Sequence, residues 1–197
     1  RFHEHHGVDP VGILRAALAN LRSGRVVQGG STLTQQLMKN FFLSEERTWH
    51  RKAVEALMAL LAERRYDKDE LLVAYLNEIY LGQNGVQSVH GVWEAARFYF
   101  GRPPEALTVG EIALLAGIIR APNTYSPFRA PQRARARRDT VLRLLRDEGA
   151  IDDAQYQAAL AEPLRAAPPS AAANAAPYFA DYLRAELESA YAPELLT

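Results

Sequence analysis

The residues able to do chemistry fall into four short blocks. In the first, Gly29-Gly30-Ser31-Thr32 runs into Leu33-Thr34-Gln35-Gln36-Leu37-Met38-Lys39-Asn40. Paired glycines let a ligand approach the backbone closely. A helix beginning behind them turns its free N–H groups back toward the loop, a natural place for an anion. On that helix Thr32, Gln35, Gln36, Lys39 and Asn40 share one face, and Leu33, Leu37 and Phe41 share another. Amides beside a single ammonium suit a sugar phosphate. An ordinary polar face behind a capped turn would have the same pattern.

The second block is Arg51-Lys52-Ala53-Val54-Glu55, with Arg51 and Glu55 at i, i+4 and Lys52 and Glu55 at i, i+3. Two cations beside one carboxylate can hold a diphosphate and keep the carboxylate ionised. The alternative is a surface ion-pair cluster, worth about 0.3–0.5 kcal/mol per pair and in the poorer order, base before acid. Val54, Leu57, Met58 and Leu61 are expected to form the core stripe. The small Ala59 and Ala62 follow Glu55 on its own face, which could line a cleft.

The third block runs from Tyr75 to Gln83. Asn77 and Tyr80 share a helical face there, while Tyr75 lies off it. The tyrosines read as aromatic core. Asn77, at a buried helix end, needs partners and is either structural or ligand-facing. The fourth block places Arg133, Arg135, Arg137 and Arg138 around a helix rather than along one stripe. Aromatic or amide readout residues do not interleave with them, so a solvated helix with one or two structurally paired arginines fits better than nucleic-acid binding. His3, His5, His6, His50 and His90 lack a metal-site spacing, and zinc is not expected.

Composition sets the frame for these blocks. The chain has 197 residues, 48% of them hydrophobic, with 12 glycines and no cysteine. Fibrous, disulfide-stapled and wholly disordered classes are excluded. The longest apolar run, 112–119, is far short of the roughly 20 residues that span a bilayer. No signal peptide is evident. The sequence opens on Arg1 in a charged, His-rich stretch without an initiator Met, as a piece of a longer protein would. The net charge is zero, but residues 1–146 hold 21 basic and 14 acidic side chains, and residues 147–197 hold 2 and 9. A basic body suits an anionic partner. Arg outnumbers Lys 20 to 3, which fits phosphate recognition and equally fits GC-rich coding.

The elements that must carry these blocks are nearly all helical. Asp9-Pro10 caps a helix that ends at Ser23, with Gly24 as its left-handed stop. Ser31 or Thr32 caps a helix to about Asn40, and Ser44 opens one to about Arg65. Asp67 with Glu70 is a capping box for a helix through Tyr80. Residues 82–89, with Asn84-Gly85, read as a loop. A helix over 92–99 follows. Thr108 with Glu111 caps another that ends before Pro122, and residues 123–128 form a Pro-containing loop. An Arg-rich helix then runs to Gly149, and Asp152 opens a short one. Residues 165–176 have linker composition, and a last helix is expected over 178–190. The expected class is all-α.

In this order, the blocks resemble the glycosyltransferase domain of class A bifunctional penicillin-binding proteins, the family 51 peptidoglycan glycosyltransferases, type 1B-like. The resemblance is carried by Phe2-x-x-His5-x-Gly7, Gly30-Ser31-Thr32-x-x-Gln35-Gln36, Arg51-Lys52-x-x-Glu55, Lys68 through Tyr75-Leu76-Asn77-x-x-Tyr80-x-Gly82, and Arg137-Arg138-x-x-Val141-Leu142. It implies an all-α, lysozyme-like glycosyltransferase domain over 1–164 with a smaller membrane-facing lobe. Residues 165–197 would be a linker toward a transpeptidase domain. It implies polymerisation of lipid II into glycan strands, with inversion and release of undecaprenyl pyrophosphate, at the periplasmic face of the bacterial inner membrane.

Carried over by residue, Glu55 is the catalytic second acidic group of the site, helping place or stabilise the donor pyrophosphate and its metal, and Lys39, Arg51 and Lys52 bind pyrophosphate. Ser31, Thr32, Gln36 and Asn40 line the donor cleft, and Gln35 and Asn77 join them in binding the substrate. Phe2, His5, Gly7, Gly30, Tyr75, Tyr80, Gly82, Arg137 and Arg138 support the motifs. The implied partners are lipid II, the nascent glycan strand, moenomycin-type inhibitors, the inner membrane surface and cell-wall synthesis regulators. A divalent cation, Mg2+ or Mn2+, would accompany the pyrophosphate. The family's proposed general-base Glu, followed by Asp, would stand upstream of Arg1, so this stretch alone is expected to bind donor analogues and polymerise poorly. Phe41, Phe42, Leu43 and Trp49, around the join of the second and third motifs, are expected at a bilayer interface if exposed and are plain core if buried. A lysozyme-like lytic enzyme and a non-catalytic lipid II-binding module are the rival readings. A lytic enzyme has no need of the Lys/Arg clamp.

Overall fold

The computed structural model describes residues 2–25, 27, 29–42, 48–84 and 87–166. The linker and final helix expected beyond residue 166 lie outside them, as do Leu43 and Ser44. Among the described residues, eight α-helices and one hairpin follow a short 3-10 turn at Phe2–Glu4: α1 (Pro10–Ser23), α2 (Leu33–Phe42), α3 (Trp49–Arg65), α4 (Lys68–Glu78), β1 (Tyr80–Asn84), β2 (Gln87–His90), α5 (Val92–Phe100), α6 (Val109–Ile118), α7 (Pro131–Asp147) and α8 (Asp153–Ala161).

Local chemistry sets most boundaries. Asp9 accepts from Gly12 N–H at the start of α1, and Gly24, at φ 65°, closes it. Reciprocal capping boxes open α4 (Asp67/Glu70), α6 (Thr108/Glu111) and α8 (Asp152/Gln155). Thr32 caps α2 in the same way: Gln35 N–H donates to its Oγ1 at 3.2 Å, and Thr32 N–H donates to Gln35 Oε1 at 2.9 Å.

The structure corrects three expectations. In α3 the described helix begins at Trp49, where the Thr48 hydroxyl accepts from Arg51 N–H. Helix α4 stops at Glu78, and the segment read as a loop is an antiparallel hairpin pairing Tyr80 with His90 and Gly82 with Val89. Gly82 explains why no alternating pattern was visible. Its φ is 150°, and a Cβ there would stand 2.3 Å from the Tyr99 hydroxyl, so glycine occupies a position where a strand would otherwise show a side chain. Third, Leu57 and Leu61 of the expected core stripe are exposed, and α3 buries Glu55 and Ala59 instead. The cause is close packing. Gly7 (φ 73°) lies so near α3 that a Cβ would stand 2.8 Å from the Ala59 carbonyl and the Leu60 nitrogen.

The main core gathers Leu37, Tyr75, Leu81, Tyr99, Leu114 and Ile118 from α2, α4, β1, α5 and α6. Tyr99 donates its hydroxyl to Leu81 O at 2.8 Å, which ties α5 to the hairpin. Burial raises the phenols of Tyr75 and Tyr99 to about 12 each. A smaller core of Ala113, Leu142 and Ala159 joins α6, α7 and α8.

Candidate active site

The buried Glu55 carboxylate organises the site from the middle of α3. It is 2% exposed. Arg51, one turn earlier, places Nη1 3.2 Å from Oε2, and Lys52 Nζ donates to Oε1. The same ammonium donates to Ser31 Oγ at 2.6 Å, so α3 is tied to the glycine loop ahead of α2. Arg51 Nε is buried without a hydrogen-bond partner among the described residues. Two cations face one carboxylate, which leaves one positive charge in excess with donors to spare. That arrangement is able to receive an anion.

Beside this cluster a cleft of about 210 Å³ opens between the loop and the chain's first turn. Its walls include Phe2, His5, Gly30, Ser31, Thr32 and Gln36, with Arg15 of α1 also lining it. Gly30 passes close to α1: a Cβ there would lie 3.0 Å from Ile13 Cα. The loop is held from below, since Thr32 Oγ1 donates to Gly7 O at 2.6 Å. Thr32 and Gln35 therefore give their polar atoms to the cap and the Gly7 carbonyl and position the loop. Tyr75 donates to Gln36 Oε1 at 3.4 Å from the core side.

The structure thus brings together Ser31, Arg51, Lys52 and Glu55, with Phe2, His5, Gly30 and Gln36 lining the adjoining cleft. Lys39 and Asn40 are exposed in the last turn of α2. Asn77 is exposed in the last turn of α4 rather than buried there. Gly91 packs against its carbonyl, which a Cβ would meet at 2.5 Å. Tyr80 donates to Asn123 Oδ1 at 3.1 Å and pins the hairpin to the loop after α6. Arg137 donates to Gly117 O at 3.2 Å. Arg138, 2% exposed, reaches the carbonyls of Glu162 and Leu160 at the end of α8. Both arginines are structural. The sequence reading missed Glu63, whose side chain is 3% exposed, and its partners Thr34 and Lys68. Its available signal was an acid and a base five apart across a helix break.

Among the described residues no three His, Cys, Asp or Glu side chains gather into a metal site. Both Glu55 oxygens are engaged by Lys52 and Arg51, so this donor set does not fit a protein-ligated divalent cation.

Residues 1–146 match the family model described as Transglycosylase. The chain belongs to that family. Among curated relatives, penicillin-binding protein 1B of Haemophilus influenzae is 51% identical over 187 residues, covering 95% of this chain and 24% of the relative. Penicillin-binding protein 1B of Escherichia coli is 47% identical over 188 residues, covering 95% and 22%. A crystal structure of penicillin-binding protein 1A from Haemophilus influenzae aligns with 81% of this chain and 20% of that one, at 28% identity and a TM-score of 0.45. This transglycosylase chain spans about a quarter of the length of the curated relatives it matches.

Proposed function

We propose that this transglycosylase chain is a peptidoglycan glycosyltransferase that polymerises lipid II into glycan strands. The observation that carries the reading is the pair of cations, Arg51 and Lys52, set on the buried Glu55 carboxylate and tied through Ser31 to a glycine loop beside a cleft. In the reaction the acceptor's sugar 4-hydroxyl oxygen attacks the donor's anomeric carbon from the face opposite the pyrophosphate. The new C–O bond forms as the old one breaks, and its electron pair leaves on the pyrophosphate oxygen. The hydroxyl proton passes to a base, and the configuration inverts. In this reading Arg51 and Lys52 neutralise the charge that grows on the leaving group. Glu55 holds the two cations at a fixed spacing. Lys39 and Asn40, exposed at the end of α2, are assigned to donor binding in the same reading. A divalent cation would have to arrive on the pyrophosphate's own oxygens.

The lipid tail needs a bilayer beside the cleft. Phe42 at the end of α2 and Trp49 at the start of α3, 64% and 92% exposed, offer apolar surface for it, and we place the chain at the periplasmic face of the bacterial inner membrane. No described helix is long and apolar enough to cross a membrane. A moenomycin-type phosphoglycolipid would occupy the same cations.

Product analysis with the full-length protein and purified lipid II tests the reading. Lengthened strands with release of undecaprenyl pyrophosphate are expected, and their loss in Arg51→Ala. Shortened or anhydro-ended strands would overturn it in favour of a lytic enzyme.

A further inference from the structure

A second buried carboxylate, Glu63, stands two turns beyond Glu55 on α3. Its side chain is 3% exposed. Oε1 accepts from Thr34 Oγ1 at 2.5 Å, and Oε2 accepts from Lys68 Nζ at 2.7 Å. The Gly7 backbone N–H donates to the same carboxylate. These donors come from α2, from α4 and from the segment ahead of α1, three parts of the chain distant in sequence. Gly7 is held on its other side too, where its carbonyl accepts from Thr32. The segment ending at Gly7 carries Phe2 and His5, which both line the cleft. Lys68 Nζ also sits 4.6 Å from the Phe2 ring centroid, so one ammonium binds the latch and the cleft wall together.

We infer that Glu63 is a positioning residue: it latches the segment from Phe2 to Gly7 onto α2, α3 and α4 and so fixes the cleft wall that Phe2 and His5 form. The inference deepens the glycosyltransferase reading and rests on it for the identity of the cleft's ligand. Its geometry stands apart from that identity. A neutral amide cannot replace the carboxylate. Three donors converge on Glu63, and a glutamine offers one acceptor oxygen while turning its own N–H groups on the others. Burial alone would push the Glu63 carboxyl up, but hydrogen bonds from Lys68, Thr34 and Gly7 outweigh it and hold the group below its ordinary value. The latch therefore keeps its charge at neutral pH.

His5 reports whether the segment is latched. Its Nδ1 is buried without a hydrogen-bond partner among the described residues. Burial first, and then the Lys68 charge, hold its pKa below the ordinary 6.5, while Glu63 and Asp9 act in the opposite sense. The two possible responses to Glu63→Gln therefore differ in sign. If the segment stays in place, losing a negative charge lowers the His5 pKa further. If it comes loose, His5 regains water and its pKa rises toward about 6.5.

The experiment is an NMR titration of His5 in the whole chain, with hydrogen exchange at the Gly7 amide, for wild type, Glu63→Gln and Glu63→Asp. The expected result is a rise for Glu63→Gln with Gly7 exchange at least ~10-fold faster, and values between wild type and Glu63→Gln for Glu63→Asp. A fall in the His5 pKa, or unchanged Gly7 exchange, overturns the inference. Should Glu63→Gln fail to fold, Thr34→Val removes one donor and leaves the charge: a rise in the His5 pKa with faster Gly7 exchange is expected again, and an unchanged His5 pKa or unchanged Gly7 exchange overturns the inference. Inorganic pyrophosphate binding, measured on the same samples, separates the two readings. Absence of binding by wild type counts against the glycosyltransferase site and leaves the His5 and Gly7 results to decide the latch.

Discussion

Replacing Glu55 by glutamine isolates what the buried carboxylate does. The substitution keeps the shape and removes the charge between Arg51 and Lys52. Those two side chains are 16% and 39% exposed, against 3% for Glu55. Removing one partner of a fully buried pair costs about 3–5 kcal/mol. Lys52 can turn its ammonium into water, and an exposed pair contributes about 0–1 kcal/mol. Arg51 is more enclosed and already has Nε unpartnered, so most of the cost falls on it. Together these give a destabilisation of about 2 kcal/mol, a loss of roughly 4–8 °C in Tm for a chain of this size.

The same change has the opposite effect on anion binding. A carboxylate repels a neighbouring phosphate by about 1–2 kcal/mol across a partly wet site, so Glu55→Gln should bind inorganic pyrophosphate roughly ten-fold tighter. Calorimetric titration and a thermal melt with and without pyrophosphate measure both effects, and the melting deficit should shrink as the anion is added. Polymerisation by the full-length protein should nonetheless fall, because the cations are no longer held at their spacing. A Tm within about 1 °C of wild type, or weaker pyrophosphate binding, would refute the reasoning about charge at this site.

Other outcomes follow from neighbouring features. Gly7→Ala places a Cβ 2.8 Å from the α3 backbone at φ 73°, and a loss of at least about 2 kcal/mol in urea unfolding is expected. Tyr99→Phe leaves the Leu81 carbonyl without its buried donor and should cost about 1–2 kcal/mol by the same measurement. The latch also makes stability depend on pH. The lowered Glu63 pKa gives stability that is complete above the unfolded carboxylate value of 4.5 and is lost as pH falls through the folded value. The lowered His5 pKa gives stability that is lost as pH falls below 6.5. Urea midpoints measured from pH 7 to pH 3 should therefore slope less in His5→Gln over the upper part of that range and less in Glu63→Gln below pH 4.5. Trp49 emission should shift to shorter wavelength when anionic vesicles are added, and Phe42→Ser should weaken that response.

Helix ends were legible in the sequence because caps are local. Asp9, Asp67, Thr108 and Asp152 each declare a start within four residues, and the structure finds each one capping. The Arg51–Lys52–Glu55 cluster was legible for the same reason, being held within a single turn. What failed to show depends on contacts far along the chain. The hairpin is stabilised by Tyr99, 18 residues beyond Leu81. The inward face of α3 is chosen by Gly7, whose missing side chain allows the approach, so counting apolar residues on α3 pointed to Leu57 and Leu61 instead. Glu63 drew no notice because its partners, Thr34, Lys68 and Gly7, meet only in three dimensions. Asn77 was misjudged from the opposite side: its helix end is buried through Tyr75 and Ile79, and Asn77 itself faces outward.

Arg138 has a consequence for how freely this part of the chain can vary. Its guanidinium grips α8 through the carbonyl oxygens of Leu160 and Glu162, groups that every amino acid carries. Substitutions along α8 that keep Ala159 small and buried can thus accumulate without undoing the joint. Position 138 has no such latitude. Lysine has one nitrogen where the present fork spans two carbonyls and Asp139 at once, and a shorter polar group would not reach. Random mutagenesis with selection for folding should find the helix tolerant and its anchoring arginine nearly immutable.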